Sequence, residues 1–249
     1  MASLDESQVR VILLDIEGTT TPIDFVYKTL FPYASRKLES FVREHARDPE
    51  IASLIEELRA QHELDERNRL QPPGWLEDSA EARLRSSIEY GQWLIARDSK
   101  CAPLKSLQGK IWQQGFESGE LRGQVFPDVP VAFERWRRKE KIICIYSSGS
   151  VLAQQMLFRT TPSGDLTSYI SQFFDMRVGV KTESESYEKI AASLARAPRE
   201  FLFVSDAVKE IEASQSAGMQ AVLCSRDPCA DASQGAGRII HSFDEIFGD

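Results

Sequence analysis

Two acidic side chains follow the first apolar segment of the chain at a spacing that suits phosphoryl transfer. Asp15 and Glu17 are two residues apart and precede the run Gly-Thr-Thr. In such a pair, one carboxylate can attack phosphorus as a nucleophile while the other manages the proton of the leaving or attacking oxygen. Acid pairs are also common on solvated surfaces. The position of Asp15 at the end of an apolar strand favours the catalytic interpretation.

Two further polar clusters follow later apolar segments. Ser147, Ser148 and Gly149 come after one of them, and Asp206 comes after another. The serines precede a predicted helix, whose free amide groups and dipole attract anions such as phosphate. Both clusters also have a simpler interpretation, because serine and aspartate often cap helices without binding a ligand.

A site built from these residues needs positive charge. Asp206 can join Asp15 as a ligand of a hard cation, for which Mg²⁺ is the natural choice beside a phosphate. Glu210, four residues further on, can share the helix face of Asp206 or orient a metal-bound water. Lys181 is a candidate phosphate clamp, although a lone lysine is usually a surface residue. A phosphate monoester carries about −1.5 to −2 charges, and these carboxylates alone would repel it.

The apolar segments predict the elements that position these side chains. Helical spacing dominates residues 24–118, with polar breaks such as 71–74, whereas strands and helices alternate from about residue 125. Asp128 is expected to cap a helix over 128–139. Because ligands bind beyond the carboxyl ends of parallel strands, the polar clusters should meet at one edge of the sheet. Strands are predicted at residues 9–14, 141–146, 199–204, 219–224 and 238–240.

The fold class is therefore α/β, a doubly wound parallel-sheet core with a helical insertion after the first strand. We assign residues 1–21 and 121–249 to the discontinuous core and residues 22–120 to the helical insertion. The 249 residues suffice for a substantial core. We find no internal repeat and no low-complexity tract.

Composition excludes several other classes of protein. Thirty basic against 38 acidic side chains give a net charge of −8, which argues against a general role in nucleic-acid or membrane-surface binding. No apolar run approaches the roughly 20 residues of a membrane span, and the acidic start lacks a signal pattern. We therefore expect a soluble, cytoplasmic protein. Reduced thiols are expected for the cysteines, which form no CxxC pair and no zinc pattern with histidine: Cys101, Cys144, Cys224 and Cys229.

The order of the polar residues resembles the phosphatases of the haloacid dehalogenase-like superfamily. Those carry an aspartate motif after the first strand, a Ser/Thr after the second, then a lysine, and an acidic motif after a later strand. Glu17 departs from the usual D-x-D-x-T by replacing the second acid. Together with Y-S-S-G-S at 146–150, K-x-E-S-x-S-Y at 181–187 and L-Q-G-x-x-W at 107–112, it resembles the enolase-phosphatase (acireductone synthase) family of methionine salvage. The resemblance spans nearly the whole chain.

This resemblance implies a specific reaction. The substrate would be 2,3-diketo-5-methylthiopentyl-1-phosphate, which one site would enolise and then dephosphorylate to 1,2-dihydroxy-3-keto-5-methylthiopentene. The helical insertion would be a cap that closes over the site, and the protein would be a monomer. Glu17, beside the expected nucleophile, is our first candidate for the enolisation base. The implied Mg²⁺ ligands are Asp15, Glu17 and Asp206, and the implied substrate-binding residues are Ser147, Ser148, Gly149 and Lys181.

Three alternatives differ in chemistry. A phosphatase of the same superfamily could act on a sugar or nucleotide phosphate, but Glu17 and the run at 181–187 argue against it. In a metal-free dehalogenase, Glu17 and Asp206 would have no obvious role. A receiver-like signalling module is also doubly wound and phosphorylated on aspartate, but it is shorter and lacks a large helical insertion.

Overall fold

The computed structural model describes residues 4–99, 101–227 and 238–248. The chain divides into two compact units: Met1–Phe25 with Arg122–Asp249, and Val26–Leu121. We call the first the α/β unit and the second the helical unit, and describe each by itself. The predicted domain division, 1–21 with 121–249 and 22–120, stays a proposal.

The α/β unit is organised around a parallel sheet. Its strands lie in the order β3-β2-β1-β4-β5-β6, and every neighbouring pair is parallel. This confirms the predicted doubly wound α/β core. Since the chain moves outward from β1 to β3 and then returns to β4 on the other side of β1, the order reverses beside β1. The strands are β1 (Val11–Leu14), β2 (Ile142–Tyr146), β3 (Ile170–Phe174), β4 (Phe201–Ser205), β5 (Gln220–Cys224) and β6 (Arg238–Ile240).

Helices occupy the connections between strands and fill the helical unit. In the described residues they are α1 (Ile23–Phe25), α2 (Phe31–His45), α3 (Pro49–Arg67), α4 (Ala80–Ala96), α5 (Ala102–Glu117), α6 (Asp128–Arg138), α7 (Val151–Arg159), α8 (Ser184–Ser193) and α9 (Val208–Ser216). A π-helical turn covers Val26–Leu30, and 3₁₀ turns cover Thr167–Tyr169, Pro198–Glu200 and Phe243–Glu245.

The core of the sheet explains why its strands consist of continuous apolar runs. All four residues of β1 are fully buried. Val11 and Leu13 pack in a cluster with Tyr187 of α8 and Ile211 of α9. Since successive side chains point to opposite faces of a strand, the other two residues of β1 are buried on the opposite face.

The structure corrects several details of the predicted elements. Residues 199 and 200 belong to the 3₁₀ turn Pro198–Glu200 instead of to β4. The strand Ile170–Phe174 was not predicted; it lies at the edge of the sheet and contains Ser171 and Gln172, which interrupt its apolar pattern. Asp128 is not a helix cap, because it is the first residue of α6 and Pro127 holds the cap position.

The helical unit contains four long helices, α2 to α5, and its interior includes both apolar and polar side chains. The apolar side chains that α3 carries at helical spacing are buried, and no strand occurs among the described residues of this unit. Buried Asp65 accepts hydrogen bonds from the Tyr90 hydroxyl at 2.7 Å and from Gln61 Nε2 at 2.9 Å. No helix in the described parts of the chain combines the length and the apolar character that crossing a membrane requires.

Candidate active site

The polar clusters predicted to meet follow strands that are neighbours in the sheet. Asp15 follows β1, and its amide donates to the carbonyl oxygen of Val204 in β4 at 3.0 Å. Ser147 follows β2, and Asp206 follows β4. Because β2 and β4 both pair with β1, these three residues leave the sheet side by side at its carboxyl edge. The order of the strands also reverses here.

Lys181 lies between two carboxylates of this edge. Its Nζ is 2.5 Å from Asp15 Oδ1 and 2.6 Å from Glu210 Oε2, and its side chain is only 9% exposed. Burial alone would lower the pKa of the Lys181 ammonium group, but the negative charges of Asp15 and Glu210 more than offset this and raise it. Lys181 therefore stays charged at neutral pH and supplies a fixed positive charge.

Two tyrosines hold the segment that carries Lys181. The Tyr187 hydroxyl donates to the Lys181 carbonyl oxygen at 2.7 Å, and the Tyr146 hydroxyl donates to the Gly179 carbonyl oxygen at 2.9 Å. Gly179 has a φ of 146°, and a side chain there would collide with the Ser186 hydroxyl. The lysine is thus fixed at its backbone as well as at its ammonium group.

The turn after β1 folds tightly around the carbonyl oxygen of Ile16. The amides of Thr19, Thr20 and Thr21 all point to that oxygen, at 3.2, 3.0 and 2.8 Å. The Thr19 hydroxyl lies 3.5 Å from Asp15 Oδ2. Gly18 has a φ of 72°, and a side chain there would collide with the Asp206 carboxylate. The glycine thus allows Asp206 to approach the backbone of this turn.

Asp206 lies in a strongly negative environment. Partial burial and the charge of Asp15 raise its pKa to about 7, with Glu210 and Glu17 adding to the effect and Lys181 opposing it. The pKa of Glu210 is also raised, by burial and by Asp15, against the influence of Lys181. Asp206 does not cap α9, which begins at Val208 with Ala207 in the cap position and no side-chain cap. Burial and the neighbouring carboxylates therefore both disfavour the ionised form of Asp206.

The serine cluster after β2 is arranged differently from a simple helix cap. The cap of α7 is Ser150, whose hydroxyl accepts from the amide of Ala153 at 3.2 Å. Ser147 is buried and accepts from the amide of Gly149 at 3.3 Å, whereas Ser148 is exposed. The capping interpretation of Ser147 and Ser148 is therefore wrong. Both remain candidates for binding a phosphate.

Sequence and fold together assign the chain to a family. The haloacid dehalogenase-like hydrolase family model matches residues 9–218. An enolase-phosphatase E1 from Synechococcus elongatus is 47% identical over 238 residues, covering 96% of this chain and 98% of that protein. The chain belongs to the enolase-phosphatase family. Another member, enolase-phosphatase E1 from Drosophila persimilis, is 40% identical over 97% of this chain and 96% of its own length.

Solved structures share the fold of this chain. The UTR4 protein of Saccharomyces cerevisiae superposes with a TM-score of 0.75 at 32% identity, covering 96% of this chain and all of that one. CbbY from Rhodobacter sphaeroides, solved in complex with phosphate, gives a TM-score of 0.57 at 16% identity over 96% of this chain and 97% of its own. At that identity the second likeness concerns the fold alone.

The donor atoms at the carboxyl edge suit the hard cation that haloacid dehalogenase-like phosphatases generally use. Asp15, Glu17 and Asp206 offer only carboxylate oxygens, and the pKa of Asp206 is raised by burial and by the neighbouring charge of Asp15. Among the described residues, no three His, Cys, Asp or Glu side chains already converge as a ready-made metal centre. Lys181 Nζ contacts Asp15 Oδ1, and the three-ligand metal site stays a prediction.

One residue that supports this edge of the sheet was not predicted from the sequence. Gln154 of α7 is buried, and its Nε2 donates at 2.8 Å to the carbonyl oxygens of both Gly149 and Phe174. It lies four residues after the cap Ser150, at the spacing that returns to the same helix face. That spacing was the only signal available, and it does not distinguish a glutamine that holds a loop from one on the surface.

Proposed function

We propose that this protein is a bifunctional enolase-phosphatase. It enolises 2,3-diketo-5-methylthiopentyl-1-phosphate and then removes the phosphate, giving 1,2-dihydroxy-3-keto-5-methylthiopentene (acireductone) for methionine salvage. Sequence identities of 47% and 40%, over nearly the whole chain, to proteins named enolase-phosphatase E1 support this reaction. The observation that carries the chemistry is the buried contact of Lys181 with Asp15, beside Asp206 at the carboxyl edge.

Asp15 is the nucleophile in the proposed phosphatase step. Its carboxylate oxygen forms a bond to phosphorus while the bond between phosphorus and the ester oxygen breaks, so that the phosphoryl group moves to Asp15. Water then attacks phosphorus, releases inorganic phosphate and regenerates the carboxylate. Glu17 is suited to carry the proton of the leaving or attacking oxygen. The Thr19 hydroxyl, near Asp15 Oδ2, helps to orient the nucleophile.

Lys181 and the serine cluster bind the phosphate in this proposal. The Lys181 ammonium is held by Asp15 and Glu210, so it is already oriented before the phosphate arrives. Ser147, Ser148 and Gly149 offer hydroxyl and amide donors next to the start of α7. Glu210 acts as a supporting acid, because it also accepts from the Ser205 hydroxyl at 2.8 Å and thereby fixes the lysine.

Enolisation needs a base for the carbon acid and a positive charge near the carbonyl oxygen. We assign the base to Glu17, which is half-buried beside the nucleophile. Lys181 stabilises the developing enolate by its charge. Closure of the helical insertion as a cap domain would protect the enol from water.

Mg²⁺ is the proposed cofactor, and Asp15, Glu17 and Asp206 are the residues that would hold it. When bound, it would supply the positive charge that lets a dianionic phosphate approach these carboxylates. The monomeric state and the cytoplasmic location expected from the sequence stay predictions.

The proposal is tested by offering the diketo phosphate beside a panel of sugar and nucleotide phosphates. Enol absorbance and phosphate release are followed in the same reaction. We expect both signals from the diketo phosphate and at most slow phosphate release from the panel. Equal or faster hydrolysis of an ordinary ester without any enol signal would replace the assignment with a phosphatase of the same family that acts on another small phosphomonoester.

A further inference from the structure

A partly buried arginine beyond β5 contacts the backbone of the turn after β1. Arg226, just beyond β5, donates from Nε at 2.9 Å and from Nη2 at 2.6 Å to the same Thr19 carbonyl oxygen. Its side chain is 11% exposed. A guanidinium group that donates two hydrogen bonds to one backbone carbonyl oxygen fixes both the position and the direction of that peptide.

The guanidinium group is itself held on its other sides. Its Nη1 lies 2.6 Å from Asp128 Oδ2, an oxygen that also accepts from the Phe243 amide at 2.6 Å. Its central carbon lies 4.3 Å from the ring centre of Phe126 and 4.5 Å from that of Phe243. Arg226 is therefore held by two aromatic rings and a carboxylate, and it cannot move without disturbing them.

A backbone hydrogen bond also holds the next peptide of the turn. The amide of Phe126 donates to the Thr20 carbonyl oxygen at 3.0 Å. The Thr20 hydroxyl in turn lies 3.1 Å from the Asp15 carbonyl oxygen. Two consecutive carbonyl groups of the turn are thus anchored by Arg226 and by the aromatic residue stacked on it.

The anchored turn determines how the carboxylates face each other. Asp15 and Glu17 precede it, and Gly18 within it touches the Asp206 carboxylate closely enough to exclude a side chain. A shift of the Thr19 peptide would therefore change the distance between the nucleophile and Asp206. Misplacing reacting groups by about 1 Å can lower a rate about 100-fold.

We infer that Arg226 is a positioning residue for the proposed phosphoryl transfer: held by Asp128, it binds the Thr19 carbonyl oxygen and so fixes the turn that follows Asp15. This role rests on the proposed phosphatase function. Arg226 is not among the proposed phosphate-binding residues, so its loss should affect kcat far more than KM.

The chain supplies a matched control at the opposite end of the same strand. Lys141 Nζ donates to the carbonyl oxygen of Val9 at 2.6 Å and to that of Glu6 at 3.3 Å, just before β1. It is a cation that clamps backbone carbonyls, like Arg226, but at the amino edge of the sheet. Lys141→Ala should therefore change stability without changing the chemistry of the carboxyl edge.

The experiment compares wild type, Arg226→Ala, Arg226→Lys and Lys141→Ala, each confirmed as folded by circular dichroism at the assay temperature. Phosphate release from the diketo phosphate and from p-nitrophenyl phosphate gives kcat and KM. We expect kcat of Arg226→Ala to fall about 10- to 100-fold with little change in KM, and kcat of Lys141→Ala to stay near wild type. Guanidinium ion, well below denaturing concentrations, should restore kcat of Arg226→Ala by filling the vacated space, whereas methylammonium should not.

Arg226→Lys keeps the charge beside Asp128 but cannot place two donors on Thr19, so it should fold and still lose most of kcat. Wild-type kcat in folded Arg226→Lys would overturn the inference, as would parallel losses of kcat in Arg226→Ala and Lys141→Ala. No phosphate release by the wild type from either substrate would instead remove the proposed function, and this role with it.

Discussion

Lys181 Nζ lies 2.5 Å from Asp15 Oδ1, although 166 positions separate the two residues in the chain. The contact forms because β1 is central in the sheet while Tyr146 and Tyr187 anchor the segment around Lys181. A buried cation in direct contact with the expected nucleophile is the feature on which the proposed chemistry most depends. It orients the carboxylate and provides charge for the phosphate.

Replacing the nucleophile should abolish turnover. In Asp15→Asn the amide cannot accept the phosphoryl group, so phosphate release should fall by at least about 1,000-fold. The measurement is phosphate release under saturating substrate. Asp165→Asn is the control, because Asp165 is an exposed residue before β3 that accepts from Thr167. Phosphate release at the wild-type rate from Asp15→Asn would remove Asp15 from its role.

Removing the cation should weaken phosphate binding. Lys181→Met keeps the length of the side chain but leaves Asp15 and Glu210 without their shared partner. We expect KM to rise at least about tenfold together with a loss of kcat, since a fixed charge is lost at the phosphate. Steady-state kinetics and inhibition by inorganic phosphate measure the effect. An unaltered KM would contradict a phosphate clamp at this position.

Chelation should stop the reaction. The carboxylates exceed the positive charge of Lys181, so a phosphate is repelled unless a divalent cation is present. EDTA treatment followed by removal of the chelator should leave the protein folded but inactive, and added Mg²⁺ should restore turnover. Calorimetric titration of Mg²⁺ gives a second readout, which Asp206→Asn should weaken. Full activity after thorough chelation would rule out the proposed cofactor.

A carboxylate beside the serine cluster should make stability depend on pH. Burial alone would raise the pKa of Asp175, but hydrogen bonds from Arg177 lower it below its ordinary value of 3.8. This contribution to stability is therefore present above the unfolded value and is lost as the pH falls through the folded pKa. Asp175→Asn should cost about 1–3 kcal/mol at neutral pH, and the difference should shrink in acid.

Urea unfolding across pH measures this difference. Arg177→Ala serves as the control, because Arg177 is largely exposed while the amide of Val151 still donates to Asp175 in that variant. Its effect should be smaller than that of Asp175→Asn. A difference between wild type and Asp175→Asn that is constant from neutral to acid pH would show that the Asp175 charge is not responsible.

Thiol reactivity should separate the cysteines. Burial raises the pKa of both Cys144 and Cys224 to about 12, whereas Cys101 is half-exposed. Since the thiolate is the reactive form, native protein treated with iodoacetamide near neutral pH should be alkylated at Cys101 before Cys144 or Cys224. Peptide mapping by mass spectrometry measures the order, and early modification of Cys144 would contradict its burial. Cys229 lies outside the described residues.

The sheet was predictable where its strands are continuously apolar. The fully buried run of β1 and the segments after it identified five strands and their parallel arrangement. β3 was missed because an edge strand tolerates polar residues such as Gln172, and the nearby loop residues Met176 and Val180 are apolar although they are exposed. Local apolar character cannot distinguish these two cases without knowledge of the neighbouring strands.

The site was most readily predicted where side chains directly follow strands, although Lys181 and Glu210, which do not, were also candidates. Asp15, Ser147 and Asp206 met this condition. Asp128 was expected to cap a helix. Its carboxylate instead accepts hydrogen bonds from Arg226 and from the amide of Phe243, which are distant in sequence. Such contacts depend on tertiary packing, which a single sequence does not reveal.

The most direct test of the account is a single-turnover experiment with the diketo phosphate carrying a radiolabelled phosphoryl group. The reaction is quenched in acid at successive times, and the protein is digested and mapped. We expect label to appear transiently on the peptide containing Asp15 and then to pass to inorganic phosphate after the enol has formed. Phosphate release at the full rate with no label on Asp15 at any time would contradict it.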